Sequence, residues 1–313
     1  MLPWYQRNNN PSCIKRGIVY RDYCLERIVY YNGVFAPENR VSISPFNRGL
    51  LYGDGLFETM RAYGGRVFRL AQHLERLAEG LLVLRIEPCW PARTIERAVY
   101  ELLDRNKLSD ASIRLTLFRG DGEGFEPQND RASSLLISAR QFGNYRTEDY
   151  AQGFRVHMVS LRRNLYSPLS RIKSINYLDN ILGRFEARDN NAQEALFLNS
   201  NGWVAEGATA NIFMLKNKTL ITPPADAGIL PGITRAAVLE IARSINWAVQ
   251  EQTFSPEELL RSDEAFLTNS LMEIMPLVMV DERPVGSGIP GPLTRALHQH
   301  YRELVGKELQ QAI

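Results

Sequence analysis

A single lysine stands in the run Arg-Ile-Lys-Ser-Ile-Asn-Tyr-Leu-Asp-Asn at 171–180, and further along Trp203-Val204-Ala205-Glu206-Gly207-Ala208-Thr209-Ala210 sets a glutamate in a turn of small residues. The amine of Lys173 can form a Schiff base with an aldehyde cofactor, and a carboxylate beside a pyridine nitrogen keeps that nitrogen protonated. The ordered pair therefore suits pyridoxal phosphate chemistry. Alone, each has a plainer reading: a surface lysine at a helix start, and a turn carboxylate in water. Such a cofactor brings a phosphate, and no Walker-type loop is present to hold it. Leu230-Pro231-Gly232-Ile233-Thr234 instead precedes a helical pattern with apolar Ala237, Val238 and Ile241. The amides of Ile233 and Thr234 would then point from a helix N-terminus, a natural anion site, although Pro-Gly can also simply punctuate a turn.

The elements that must carry these residues follow from pattern. Ile28–Tyr31, Asn32-Gly33 and Val34-Phe35 read as a hairpin, because Asn-Gly supplies both positive-φ positions of a tight turn. Strands at 56–62 and 66–68 flank Gly64-Gly65 in the same way. Leu70, Leu74, Leu77 and Leu81 recur at helical spacing, and Pro88 bounds that helix. A second helix is predicted over 91–106, and Ile113–Phe118 alternates as a strand does. The polar stretch 141–150 reads as a linker between a small half, 27–140, and a larger half, 151–313. In the larger half, strands near 155–160, 195–199, 212–215, 219–222 and 264–268 interleave with helices near 177–188, 234–245 and 293–305. Residues 1–26 lack the apolar core of a secretory signal and read as a poorly ordered extension, with a transit peptide as the alternative.

Composition excludes several classes. The 313 residues are 44% hydrophobic and 23% charged, with a net charge of +2, which describes an ordinary globular chain without a nucleic-acid footprint. Cys13, Cys24 and Cys89 are far apart, giving neither a disulfide framework nor a metal-ligand spacing, so a reducing, cytoplasmic setting is expected. His73, His157, His298 and His300 do not fall into ligand spacing either. His73 reads as a packing residue behind a site. No apolar run approaches the roughly 20 residues that span a bilayer. Gly120-Asp121-Gly122-Glu123-Gly124 has no amphipathic helix after it, so it reads as a mobile loop over a substrate rather than a dinucleotide fingerprint.

Together with the Lys173 and Glu206 segments, four others occur in fixed order: Tyr52-Gly53-Asp54-Gly55-Leu56-Phe57-Glu58-Thr59, His73-Leu74-Glu75-Arg76-Leu77, Leu230–Arg235, and Thr268-Asn269-Ser270-Leu271-Met272-Glu273-Ile274-Met275-Pro276. On these segments, from about Ile28 to about Tyr301, the chain resembles the class IV aminotransferases, the fold-type IV pyridoxal phosphate enzymes. That resemblance implies an α+β protein with a smaller N-terminal domain, a larger domain containing a distorted β-barrel, and a homodimer. It also implies Lys173 as the cofactor-bound lysine and proton carrier, Glu206 at the pyridine nitrogen, Arg76 and Ser270 with the Ile233 and Thr234 amides at the phosphate, and Tyr177 against the cofactor. Tyr52, Arg61 and Thr59 would face a small amine or carboxylate substrate.

The family includes 4-amino-4-deoxychorismate lyase and branched-chain and D-amino acid aminotransferases. Thr59 after Phe-Glu, the Asn269–Pro276 run and Trp203-Val204 resemble the lyase. Tyr52 and Arg61 match positions near the substrate in branched-chain enzymes, and Glu123-Gly124 departs from the second arginine of the lyase loop. The expectation is therefore the lyase, then transamination with 2-oxoglutarate, then a non-catalytic binding module.

Overall fold

Asn32 and Gly33 take φ of 47° and 92° and turn β1 (Ile28–Tyr31) back into β2 (Val34–Pro37), with Tyr31 opposite Val34. This computed structural model describes residues 27–126, 133–143 and 145–311; the extension expected at 1–26, with Cys13 and Cys24, lies outside them. After β2 come the short α1 (Arg48–Tyr52), β3 (Gly55–Tyr63), β4 (Arg66–Val67), α2 (Leu70–Leu84), α3 (Ala92–Arg105), β5 (Ala111–Phe118) and β6 (Ser134–Gln141). The six strands form one antiparallel sheet in the order β2-β1-β6-β5-β3-β4. Leu70, Leu77 and Leu81 of α2 and Ile95, Val99 and Leu102 of α3 bury the apolar stripes that their spacing predicts.

The opposite face of this sheet carries the polar residues. Thr59, Arg114 and Ser138 are register partners in one row across β3, β5 and β6, and Arg61, Ser112 and Arg140 form the next row. Between them Met60, Ile113 and Ala139 turn to the core and are at most 3% exposed, as the period of two requires.

The remaining chain forms α4 (Thr147–Gln152), β7 (Phe154–Arg163), α5 (Leu178–Asp189), β8 (Glu194–Asn199), β9 (Val204–Gly207), β10 (Asn211–Lys216), β11 (Thr219–Thr222), α6 (Ile233–Ser244), β12 (Ala248–Glu251), α7 (Pro256–Leu260), β13 (Glu264–Asn269), β14 (Glu273–Val280), β15 (Arg283–Pro284) and α8 (Pro292–Gln311). Its sheet runs β12-β11-β10-β13-β14-β7-β8-β9, with β15 on β14. The sheet curls until β9 returns beside β10, where the Gly207 N–H donates to Ala210 O at 2.6 Å. The family resemblance implied a distorted β-barrel in this domain, and the sheet is a curled half-barrel. Every residue of β8 and β9 is buried, the mark of strands covered on both faces.

Strand β14 is an addition to the sequence reading, and its Pro276 cannot donate to a ladder. The structure admits it where β14 has one paired neighbour: Pro276 faces Phe266 of β13, and pairing with β7 starts at Leu277. Strands β6, β9, β12 and β15 and helices α1, α4 and α7 are also additions to the sequence reading. Of the segment 141–150, Gln141 closes β6 and residues 147–150 open α4, while Asn144 lies outside the described residues.

The two sheets are fastened together by charge and by rings. Arg69 donates to Glu240 of α6 and Glu308 of α8, and Phe68 meets the Tyr301 ring edge-on at 5.6 Å. Glu273, buried at the start of β14, accepts from Arg61 at 2.8 Å and Tyr63 at 3.0 Å and pairs with His298 at 2.6 Å.

Candidate active site

Between the sheets lies a cavity of about 590 Å³, within the range of small-molecule sites. Its lining includes Thr59, Arg76, Lys173, Tyr177, Glu206, Ile233, Thr234 and Ser270. Tyr52 and Arg61, expected near the substrate, are absent from that lining. Tyr52 is exposed on α1, where its hydroxyl accepts from the Gly124 N–H at 3.2 Å. The Arg61 guanidinium is held by Glu273 and by Leu271 O. The glycine-rich segment read as a loop over the substrate is tied to α1 instead: Arg48 donates to Gly124 O at 2.6 Å, and Asp121 bridges to Asn47.

Lys173 hangs from a turn sewn to β3, its carbonyl accepting from the Phe57 N–H at 2.9 Å while Gly55 O accepts from Ile175 N–H. Its Nζ stands 4.6 Å from the Phe57 ring centroid, and no carboxylate among the described residues is in ion-pair range. Enclosure disfavours the ammonium and, with the Arg76 charge, lowers the amine from its ordinary 10.5 to about 8. Roughly a tenth of the amine is thus free at pH 7, far more than at its ordinary value. Tyr177 begins α5, packs edge-on against Phe57 at 5.2 Å and donates to Ala208 O at 3.0 Å. Asn180, one turn later, donates to the same carbonyl at 2.5 Å, and the Ala208 N–H donates to buried Glu194 at 3.2 Å. The turn beyond Glu206 is therefore fixed through both backbone groups of Ala208.

Glu206, on β9, is 7% exposed. Burial pushes its carboxyl up, opposed by Arg163 at 3.3 Å and the Leu230 N–H at 3.0 Å. Glu206 is thus enclosed with one cation, in a place where a second, such as a protonated ring nitrogen, would favour its charged form. Arg163 ends β7 and reaches Glu206 across the β7–β8–β9 pairings. Nothing local in sequence announces that contact.

Helix α6 starts after Gly232 with no side-chain cap, leaving its first amides open to an anion. A Cβ at Gly232 would run into the Asn211 side-chain oxygen, so glycine keeps this entrance tight. Arg76 flanks it, donating to Pro231 O at 2.9 Å and twice to Glu58 at 2.8 and 2.6 Å. Glu58 is fully buried, and its other partner is His73 Nδ1 at 2.7 Å; Arg76 and His73 offset the burial and hold the carboxyl at about 2. His73 Nε2 is 3.5 Å from Ser270 Oγ. Ser270 sits in the β13–β14 turn, which Asn269 stabilises by accepting from the Leu271 and Met272 amides at 2.9 and 2.7 Å. Glu58 was visible in its motif, but its place under Arg76 depends on β3 packing against α2.

An enclosed amine, a buried carboxylate across from it and an open helix N-terminus with an arginine fit pyridoxal phosphate. Lys173 would bind the aldehyde end, Glu206 the ring nitrogen, and Arg76, Ser270 and the Ile233 and Thr234 amides the phosphate. Residues 55–280 match the amino-transferase class IV family. The chain belongs to that family. Its cofactor is accordingly pyridoxal phosphate. A putative branched-chain-amino-acid aminotransferase of Methanocaldococcus jannaschii is 36% identical over 278 residues, covering 88% of this chain and 96% of that protein. An aminodeoxychorismate lyase of Bacillus subtilis is 35% identical over 279 residues, covering 88% and 94%. Among solved structures, Escherichia coli branched-chain amino acid aminotransferase superposes with TM-score 0.86 at 31% identity, covering 90% of this chain and 95% of that one. The pyridoxal phosphate form of the Thermobaculum terrenum branched-chain enzyme gives 0.81 at 29% identity, covering 90% and 94%. Among the described residues no helix is long and apolar enough to cross a membrane, and no cluster of three or more histidine, cysteine or acidic side chains could hold a metal ion.

Proposed function

We propose that this class IV enzyme is an aminodeoxychorismate lyase, releasing p-aminobenzoate and pyruvate. The observation that carries the reading is the Thr59 hydroxyl in the cavity wall, on the same strand to which the Lys173 turn is sewn. When bound, pyridoxal phosphate supplies an aldehyde for the substrate amine and an electron-withdrawing ring. Lys173, with its amine at about 8, takes the proton from the carbon that bears the nitrogen. As the enolpyruvyl C–O bond at the neighbouring carbon breaks, Thr59 donates a hydrogen bond to the leaving oxygen. Glu206 keeps its negative charge beside the electron-poor ring, and the α6 amides with Arg76 hold the phosphate still. Release of pyruvate makes the substrate ring aromatic, which drives the step.

Transamination of a branched-chain or D-amino acid with 2-oxoglutarate is the second reading. It is favoured by Arg114, the register partner of Thr59, whose guanidinium can receive a substrate carboxylate. Product analysis separates the two: p-aminobenzoate and pyruvate from 4-amino-4-deoxychorismate for the lyase, glutamate and a new 2-oxo acid for the transaminase. Brisk glutamate formation without any p-aminobenzoate overturns the first reading. A cytoplasmic homodimer belongs to the same proposal, supported by the exposed apolar stripe Leu178, Ile181, Leu182 and Phe185 on α5; light scattering that gives a monomer at micromolar concentration removes the dimer.

A further inference from the structure

Behind the cavity wall, Glu58 of β3, His73 of α2 and Ser270 of the β13–β14 turn form a chain of polar groups. Glu58 and His73 are 0% and 1% exposed, and Ser270 alone of the three lines the cavity. His73 Nδ1 meets Glu58 Oε2 at 2.7 Å, and His73 Nε2 faces Ser270 Oγ at 3.5 Å. Glu58, held at about 2, is ionised and can only accept, so the proton of the neutral ring belongs on Nδ1. Nε2 then offers a lone pair, and the one hydrogen of the Ser270 hydroxyl turns toward it. This leaves the acceptor side of the hydroxyl facing the cavity, the wrong side for an anion. If Ser270 instead donates to a phosphate, it has only lone pairs for His73, and Nε2 needs a proton of its own to meet them.

The groups around the ring decide which state holds. Burial pushes His73 below its usual value, Glu58 opposes this, and Arg76 of the same helix and Lys173 of the turn before α5 add to it. With these neighbours the ring is neutral at pH 7. Arg76 cannot turn to supply the missing donor, because Nε and Nη2 are committed to Glu58 and Nη1 to Pro231 O. A phosphate beyond Ser270 adds negative charge on the Nε2 side of the ring, which favours the imidazolium.

We propose that His73 is a positioning residue that frees the Ser270 hydroxyl to donate to the phosphate by taking up one proton on Nε2 as the phosphate binds. The proton comes from solvent, the single new bond is N–H, and Glu58 holds the resulting imidazolium through Nδ1–H. The long contact to Ser270 is the part that gives, while the short one to Glu58 keeps the ring in place. The inference rests on the reading that places the phosphate at Ser270 and the α6 amides.

The test is nitrogen NMR of isotope-labelled histidine in the full-length, cofactor-free protein at pH 7, titrated with pyridoxamine or with pyridoxamine phosphate, which differ only in the phosphate. The chain has four histidines, and His157→Gln, His298→Gln and His300→Gln assign the His73 signals by exclusion. With pyridoxamine the ring should keep Nδ1 protonated and Nε2 bare; with pyridoxamine phosphate both nitrogens should be protonated. The same ring state with both ligands overturns the inference. By calorimetry, the preference for pyridoxamine phosphate over pyridoxamine should fall about tenfold from pH 7 to pH 8, the slope of one linked proton. His73→Gln, which cannot take a proton, should flatten it, and a slope kept at full size in that variant also overturns the inference. Ser270→Ala reports on the underlying reading and should cut that preference about tenfold at pH 7. A preference that ignores Ser270→Ala overturns the phosphate placement itself, whereas a reduced preference with an unchanged ring overturns only the role of His73.

Discussion

Replacing Glu58 with glutamine keeps the shape of a fully buried side chain but removes the charge that faces Arg76 and His73. Folding lowers this carboxyl from its ordinary 4.5 to about 2, which at about 1.4 kcal/mol per tenfold amounts to roughly 3 kcal/mol of stability. Breaking a buried pair by removing one partner costs roughly 3–5 kcal/mol, so the two routes agree. Because the folded-state pKa is depressed, the contribution is complete above pH 4.5 and fades as pH falls toward 2. Denaturant unfolding of the cofactor-free protein should therefore show Glu58→Gln less stable by about 3 kcal/mol at pH 7 and by about 2 kcal/mol at pH 3.5. The same variant should bind pyridoxamine phosphate more weakly, since Arg76 loses the support that aims it. A loss of equal size at both pH values, or none at pH 7, would refute the assignment of that stability to the Glu58 charge.

Borohydride treatment should fix the cofactor on Lys173, with the label found by peptide mapping, and Lys173→Ala should fold yet lose turnover. Uptake of pyridoxal phosphate by the cofactor-free protein should rise about tenfold per pH unit below pH 8 and level off above it, in line with an amine at about 8; a plateau reached only above pH 10 contradicts the enclosed amine. Thr59→Val should cut lyase turnover about two- to tenfold, the value of one neutral hydrogen bond, with cofactor affinity retained. Under the transaminating reading that substitution changes mainly the choice of amino donor.

What was legible in the sequence was local. Asn32-Gly33 fixes its own turn through two positive φ angles, and the leucine spacing of α2 carries both the helix and its buried face. The ordered motifs also picked out Lys173, Glu206, Arg76, Ser270 and the α6 amides, all of which line one cavity. The remainder depends on contacts between distant segments. Arg163 meets Glu206 only once parallel β7 and β8 are aligned, and a lone cation at a strand end gives no hint of its partner. Arg61 had the right residue type for a substrate contact. Its counter-ion is Glu273, which has φ of 58° at the start of β14, a strand absent from the sequence reading. Arg114 was the one cation on the polar side of an alternating strand, a signal present in Ile113-Arg114-Leu115-Thr116 that becomes meaningful only beside β3 and β6.

The two rows across β3, β5 and β6 also bear on how such a scaffold changes its diet. The β5 positions have their backbone held on both sides by sheet pairing and those on β3 and β6 on the side of β5, while the residues between them are locked in the core behind. Side chains at 59, 112, 114, 138 and 140, all in the cavity wall, can therefore be rewritten one at a time without disturbing strand register. The amine, the ring carboxylate and the helix N-terminus are all supplied from outside this sheet. A lineage could thus inherit the cofactor apparatus unchanged and acquire a new substrate by editing a patch of five letters, whereas a one-residue slip of any strand would turn Met60, Ile113 or Ala139 into the cavity and forfeit both.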